Sequence, residues 1–226
     1  MPKMKEKKTK KKKRGLYMTL HAMLAGFFRC VLRVHVTGAE KLPSEGGAIV
    51  CINHVAFWDV ITVACVLRRQ LRFLAKKELF KIPILAPLIR ALGACPVDRS
   101  GADVGAIKRS IALAESGELV SVFPQGTRQG GRNPADTPIK NGAGMMICRA
   151  RVPAVPVCIK MKKMKYSLFR RIDVIVGDPI PYESFGFESG GSAEYAAASE
   201  RVFGEICRLG GFLPLPDGKS ENGEDK

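Results

Sequence analysis

Gly46-Gly47-Ala48-Ile49-Val50-Cys51-Ile52-Asn53-His54-Val55-Ala56-Phe57-Trp58-Asp59 reads as a strand, a loop and a helix start in succession. The run Ala48-Ile49-Val50-Cys51-Ile52 is rich in β-branched residues and opened by two glycines, the pattern of a buried strand whose end delivers His54 into a loop. His54 and Asp59 stand five residues apart, so on one continuous helix they would point about 140° away from each other, each residue turning about 100°. A bend between them removes that obstacle. With a helix opening among the intervening residues and Asp59 in its first turn, the carboxylate reaches back to one imidazole nitrogen while the other faces solvent or substrate. A carboxylate so placed fixes the tautomer and stabilises the imidazolium, which is the arrangement of a general base. A histidine that caps a turn, followed by an acid at a helix N-terminus, fits the same residues equally well. The segment alone leaves both readings open.

Outward from this unit, short β-branched runs alternate with longer helical patterns, the rhythm of an α/β domain. Strands are expected at 47–52, 71–75, 94–97, 118–123, 154–160 and 172–177, and helices at 59–68, 77–91, 103–116, 142–150 and 193–209. The fold class that follows is α/β: a single mixed, mainly parallel sheet with flanking helices, preceded by an N-terminal membrane-associated helical segment. Pro83 and Pro87 break the second helix into short pieces carrying Ile82, Ile84, Leu85, Leu88 and Ile89. That apolar set suits core, a membrane surface or the lining of an acyl channel. Residues 186–192, rich in Gly and Ser, form a loop, and residues 214–226 a polar tail without a core pattern. No internal repeat is present.

With 226 residues, 46% of them apolar, the chain is long enough for one sizeable core, and the catalytic domain is placed at 37–213. The formal net charge is +16, and residues 1–14 supply half of it, with nine Lys or Arg against one Glu. Lys10-Lys11-Lys12-Lys13-Arg14 has no apolar periodicity to bury and is expected to be disordered, with a polyanion as partner. Nucleic acid, ribosome and anionic lipid surfaces all meet that description. Residues 15–28 carry no formal charge, and apolar residues continue past Arg29 and Arg33 to Val36. As a helix, 15–28 covers about 21 Å against a hydrocarbon core of roughly 30 Å, so an interfacial or shallowly inserted helix over 15–36 fits better than a span. Arg29, Arg33 and the lysine tail then engage anionic head groups, which puts the protein on the cytoplasmic face of the cell membrane, peripheral or monotopic. A secretory signal peptide shares this outline, but no small-residue cleavage site follows and the two arginines interrupt the apolar run. The seven cysteines are scattered, without a C-x-x-C pair or a Cys/His cluster, and read as small core residues in a reducing compartment.

Two more segments bring positive charge to expected strand ends. Val97-Asp98-Arg99 follows Ala94-Cys95-Pro96, and Phe123-Pro124-Gln125-Gly126-Thr127-Arg128 follows Leu119-Val120-Ser121-Val122. Ligands of open α/β sheets collect outside the carboxyl ends of the strands, where His54, Arg99 and Arg128 would converge. A histidine base beside two arginines points to a phosphate-bearing alcohol, since the guanidinium fork matches phosphate oxygens and Gly126 lets backbone approach the ligand. Each arginine taken singly reads as a surface charge. Lys140-Asn141-Gly142-Ala143-Gly144 opens a helix and offers backbone donors.

Taken in order, these blocks resemble the glycerolipid acyltransferase family with the H-x4-D motif, in particular the bacterial 1-acyl-sn-glycerol-3-phosphate acyltransferases. Asn53-His54-x4-Asp59 is similar to the family's first block. Lys77-Glu78-Leu79 with Pro83, then Gly93 through Val97-Asp98-Arg99, resembles the second. Phe123-Pro124-Gln125-Gly126-Thr127-Arg128 resembles the third and Val152-Pro153-Ala154-Val155-Pro156-Val157 the fourth. The likeness spans residues 35–182, and four blocks in order are specific where a single H-x4-D would not be.

The resemblance implies transfer of a fatty acyl group from a thioester to the free hydroxyl of lysophosphatidate or a related lysophospholipid, in phospholipid biosynthesis. His54 would take the hydroxyl proton and Asp59 would stabilise the imidazolium, without an acyl-enzyme. Arg99, Gln125, Gly126, Thr127 and Arg128 would form the substrate-binding set, with Asn53 and Lys77 in support and the fourth block associated with the acyl side and packing. No cofactor or metal is implied. Acyl-coenzyme A or acyl carrier protein is the co-substrate, and a basic body surface suits both, one carrying phosphates and the other being acidic. The expected partners are membrane phospholipids and the acyl donor, with no specific nucleic acid. One residue departs from the pattern: the third block usually carries Glu where this chain has Gln125, which keeps an acceptor, adds a donor and loses a charge. That departure bears on the acceptor and leaves a different acceptor, or a non-catalytic lipid-binding protein of the same fold, as alternatives. Nucleic-acid binding would explain the lysine tail, but the body lacks basic stripes interleaved with aromatics, and the single Trp lies inside the H-x4-D segment. A serine or cysteine hydrolase is disfavoured by the absence of a G-x-S-x-G elbow.

Overall fold

The structure is a computed structural model and describes Met23, Gly26, residues 32–97 and residues 104–212. Seven strands form one sheet: β1 (Val34–Thr37), β2 (Ala48–Ile52), β3 (Leu71–Lys76), β4 (Ala94–Val97), β5 (Leu119–Val122), β6 (Ala154–Met161) and β7 (Ile172–Val176). Their order across the sheet is β1-β7-β6-β2-β5-β3-β4. Strands β2 to β6 point the same way, while β7 runs antiparallel to β6 and β1 lies parallel to β7. The helices are α1 (Trp58–Val66), α2 (Leu85–Ala91), α3 (Val104–Glu115), α4 (Gly142–Ala150) and α5 (Ser192–Gly210).

The central place of β2 explains its sequence. Alternate side chains of a strand feed opposite faces of a sheet. Ala48, Val50 and Ile52 pack on the side of Val63 in α1 and Ile89 in α2. Ile49 and Cys51 pack on the side of Ile147 in α4 and Ile206 in α5. With both faces covered, the strand is an unbroken apolar run rather than an alternating one. Gly47 admits the close approach of α3, since a Cβ there would fall 1.8 Å from the carbonyl oxygen of Ala114.

The expected strands and helices stand within one or two residues of their observed bounds, apart from two regions. Residues 77–91 divide into a 3-10 turn, Lys77–Lys81, and the short helix α2, with Pro83 between them. Pro87 lies in the first turn of α2, where a missing N–H costs no intrahelical bond. The other region is a correction. Residues 34–36, expected as the end of the apolar helical segment, belong instead to the edge strand β1, with Val34 opposite Ile172 of β7. Val34 is buried, Val36 half-buried, and His35 and Thr37 more exposed. A strand puts both valines on one face, whereas a helix would turn them about 200° apart.

Cys51, Cys65, Cys158 and Cys207 are buried, and burial pushes the first three thiols up to about 12 and that of Cys207 to about 11. They act as small apolar side chains. No helix among the described residues is long and apolar enough to cross a membrane. The tail at 1–14, most of the apolar segment at 15–36, Cys30, Arg99 and the tail at 214–226 lie outside the described residues.

Candidate functional site

All the parallel strands deliver their C-terminal ends to one edge of the sheet, and His54 stands there, two residues beyond β2. Asn53 anchors the turn. Its side-chain amide donates to the carbonyl of Ile159 at 2.9 Å and its Oδ1 accepts from the Ile159 N–H at 2.7 Å, which extends the β2–β6 ladder by side-chain means. Asn53 is wholly buried, so Asn53→Ala leaves both backbone groups of Ile159 without these partners. The expected cost is about 2–4 kcal/mol, read as a lowered urea midpoint with unchanged slope.

The chain then bends through Val55, Ala56 and Phe57 into α1, and Asp59 takes the second position of that helix. Its Oδ2 accepts three hydrogen bonds: from His54 Nδ1 at 2.8 Å, from the Val55 N–H at 2.6 Å and from the Ala56 N–H at 2.8 Å. The carboxylate thus ties down the turn that leads into α1 and orients the imidazole with the same oxygen. The bend that the five-residue spacing demands is this turn. With a carboxylate accepting at Nδ1, that nitrogen carries the proton and Nε2 keeps its lone pair. The His54 side chain is 16% exposed while Asp59 is fully buried, so the pair opens to the outside only at the ring. The ring lies on Phe123, centroids 4.1 Å apart and planes 25° apart.

The loop after β5 clamps the His54 backbone. Gln125 Oε1 accepts from the His54 N–H at 2.6 Å, and the Gln129 N–H donates to the His54 carbonyl at 2.8 Å. Gln125 Nε2 donates to Thr137 Oγ1 at 2.6 Å, and the Thr137 hydroxyl donates to the Pro134 carbonyl, also at 2.6 Å. Gln125 was expected to face the substrate; it is buried instead, and its amide is spent between His54 and Thr137. The rest of that loop is open. Gly126, Thr127 and Arg128 are exposed, and Gly126 has φ +70, where a Cβ would also press on the Lys140 side chain. No ion pair of Arg128 is found among the described residues. Lys77 follows β3 at the same edge and is exposed. Arg99, two residues past β4, is outside the described residues.

Tyr166 is the contact that local sequence patterns miss. Its hydroxyl donates to Thr62 Oγ1 at 3.2 Å, one turn along α1 from Asp59. Burial raises its pKa, and the nearby Asp59 carboxylate raises it further, which keeps a neutral phenol beside the carboxylate. Asp59 Oδ1, buried, has no hydrogen-bond partner among the described residues.

The chain is similar to known proteins in sequence and in fold. A family model described as Acyltransferase matches residues 33–160. The 1-acyl-sn-glycerol-3-phosphate acyltransferase of Bacillus subtilis is 32% identical over 155 residues, 67% of this chain and 76% of that protein. The Streptococcus pneumoniae protein of the same name is 31% identical over 65% of this chain and 55% of its own length. The crystal structure of the 1-acyl-sn-glycerophosphate acyltransferase of Thermotoga maritima shares the fold with a TM-score of 0.66 at 24% identity, covering 88% of this chain and 82% of that one. The match of the family model over more than half of the chain, together with the Bacillus relative, makes this chain a member of the acyltransferase family, of 1-acyl-sn-glycerol-3-phosphate acyltransferase type.

Proposed function

We propose that the chain moves a fatty acyl group from an acyl thioester, acyl-coenzyme A or acyl carrier protein, to the free hydroxyl of lysophosphatidate or a related lysophospholipid in phospholipid biosynthesis. His54 is the general base. Its Nε2 takes the hydroxyl proton as the oxygen attacks the thioester carbonyl, the new C–O ester bond replaces the C–S bond, and the thiolate leaves with that proton. Asp59 stabilises the imidazolium formed in between. The observation that carries the reading is the 2.8 Å contact of His54 Nδ1 with the buried Asp59 carboxylate, which leaves Nε2 as the nitrogen on the opposite side of a partly exposed ring. Arg128, with Arg99, binds the acceptor's phosphate beside the Gly126-Thr127 turn, and Lys77 lends positive charge at the same edge. No cofactor takes part. The basic and apolar N-terminal residues hold the protein on the cytoplasmic face of the membrane.

Thiol release tests this directly, with full-length protein in detergent, acyl-coenzyme A or acyl carrier protein as donor and a panel of lysophospholipids as acceptors. Release that depends on lysophosphatidate is expected. Folded protein that releases no thiol with any acceptor sinks the proposal, and release with only one other lysophospholipid corrects the acceptor.

The buried place of Gln125 yields a second expectation. In Gln125→Glu one carboxylate oxygen still accepts from the His54 N–H, but the other needs a donor, which Thr137 supplies only by turning its hydroxyl away from Pro134. Burial raises a carboxyl pKa above the free value of about 4.3. The variant's stability deficit therefore grows as pH rises from that value through the raised pKa, and reaches about 1–3 kcal/mol at neutral pH. The ranking of acceptors stays as in the parent, because the side chain does not reach them. Melting curves across pH and the acceptor panel check both halves, and a reordered panel would contradict the positioning role.

A further inference from the structure

We infer that the catalytic edge of the sheet docks face-on to an anionic bilayer through the loop 162–171, with Leu168 and Phe169 entering the lipid and the surrounding lysines and arginines on the head groups. This deepens the acyl-transfer reading, on which the acceptor is itself a lipid.

Three observations carry it. Apart from Met23, the exposed large hydrophobic side chains among the described residues are Phe57, Trp58, Ile82, Ile84, Leu168 and Phe169. They follow the C-terminal ends of β2, β3 and β6, the edge that holds His54. Ile84, Leu168 and Phe169 are 88%, 65% and 67% exposed, a cost that apolar surroundings would offset.

The same loop concentrates charge. Residues 160–171 contain six Lys or Arg and no acid. Because β7 and β1 run opposite to β6, Arg33 at the head of β1 returns to this edge. There it lines, with Lys160, Lys162, Phe169, Arg170 and Arg171, an open cavity of about 510 Å³. The one acid on that wall, Asp173, is paired with Arg171 at 2.8 Å.

Backbone conformation supplies the third observation. Arg33, Lys163, Met164 and Phe169 are four of the five non-glycine residues with positive φ among the described residues. For a bulky residue such as phenylalanine that conformation is costly, yet here it belongs to a ring exposed to water. A lipid phase supplies the missing partner. A second copy of this chain would set like charges face to face, and an acidic carrier protein would satisfy the cations while leaving apolar tips spread along the whole edge without a match.

The wild-type chain contains one tryptophan, Trp58, on this edge and about half exposed, so it reports docking without any substitution. Full-length protein is bound to vesicles of phosphatidylcholine with about one third phosphatidylglycerol, carrying brominated acyl chains. Quenching of Trp58 is expected. Bound protein whose Trp58 is not quenched overturns the proposal. The triple variant Lys162→Gln, Lys163→Gln, Arg170→Gln should weaken vesicle binding at least about tenfold at low salt and flatten its salt dependence. The double variant Leu168→Ser, Phe169→Ser should weaken binding at every salt concentration. Both should keep parental melting curves and parental activity in detergent. Unchanged vesicle binding by both overturns the proposal, as does a triple variant that loses affinity only for acyl carrier protein. The binding arm contains no substrate, so a chain that docks but transfers no acyl group counts against the acyl-transfer reading alone.

Discussion

His54→Ala lowers acceptor-dependent acyl transfer by at least about a hundredfold, the contribution typical of a positioned general base, and it does so through kcat. The fold survives because the substitution leaves the carboxylate beside it satisfied: Asp59 Oδ2 keeps the Val55 and Ala56 N–H groups. The His54 backbone keeps Gln125 Oε1 and the Gln129 N–H, neither of which depends on the imidazole. What is lost is the stack on Phe123 and the lone pair on Nε2. The acceptor's phosphate is held elsewhere in the proposal, on Arg128 and Arg99, so its KM stays within a few-fold of the parent. A protein that melts normally, binds acceptor and releases thiol hardly at all is the expected result. Activity within about tenfold of the parent would assign the proton to another group, and a large rise in KM with kcat unchanged would turn His54 into a binding residue.

Those residues were legible because their signal is local. The apolar run of β2 between two glycines and a polar loop fixes a strand end, and a strand end followed by a helix start fixes the bend that brings Asp59 to His54. The division of residues 77–91 was legible for the same reason, since proline removes a backbone donor wherever it stands. The parts that escaped depend on distant residues. β1 is a four-residue edge strand whose strand partner, β7, begins at residue 172, and on the local pattern its valines continue an apolar segment. Gln125 sits in a loop by sequence, yet its burial comes from Thr137 and the His54 backbone, twelve and seventy-one residues away. Tyr166 reaches Thr62 across 104 residues, and no spacing rule pairs them. The six cations of residues 160–171 join one basic edge only because β7 and β1 turn back and add Arg33 to it.

Asp59→Asn should cost nearly as much as losing the base, although it changes no volume. An asparagine has one oxygen to serve three donors, and both of its orientations fail. With that oxygen at the Oδ2 position, the three hydrogen bonds remain, but the NH2 then occupies the buried Oδ1 site beside the Tyr166 hydroxyl as a donor where the parent has an acceptor. With the amide reversed, the NH2 faces the Val55 and Ala56 N–H groups and offers a hydrogen to His54 Nδ1. The imidazole then moves its proton to Nε2, the atom that has to accept one. Either way the negative charge that stabilises the imidazolium is gone, so a loss of roughly a hundredfold to ten-thousandfold in kcat is expected, in line with the same exchange in catalytic triads. In the proposed mechanism Asp59 acts on the proton transfer only through His54, so the double variant His54→Ala, Asp59→Asn should be no slower than His54→Ala alone. Single losses that multiply in the double variant would show that the carboxylate contributes by a separate route, such as through Thr62 and Tyr166 to the shape of the site.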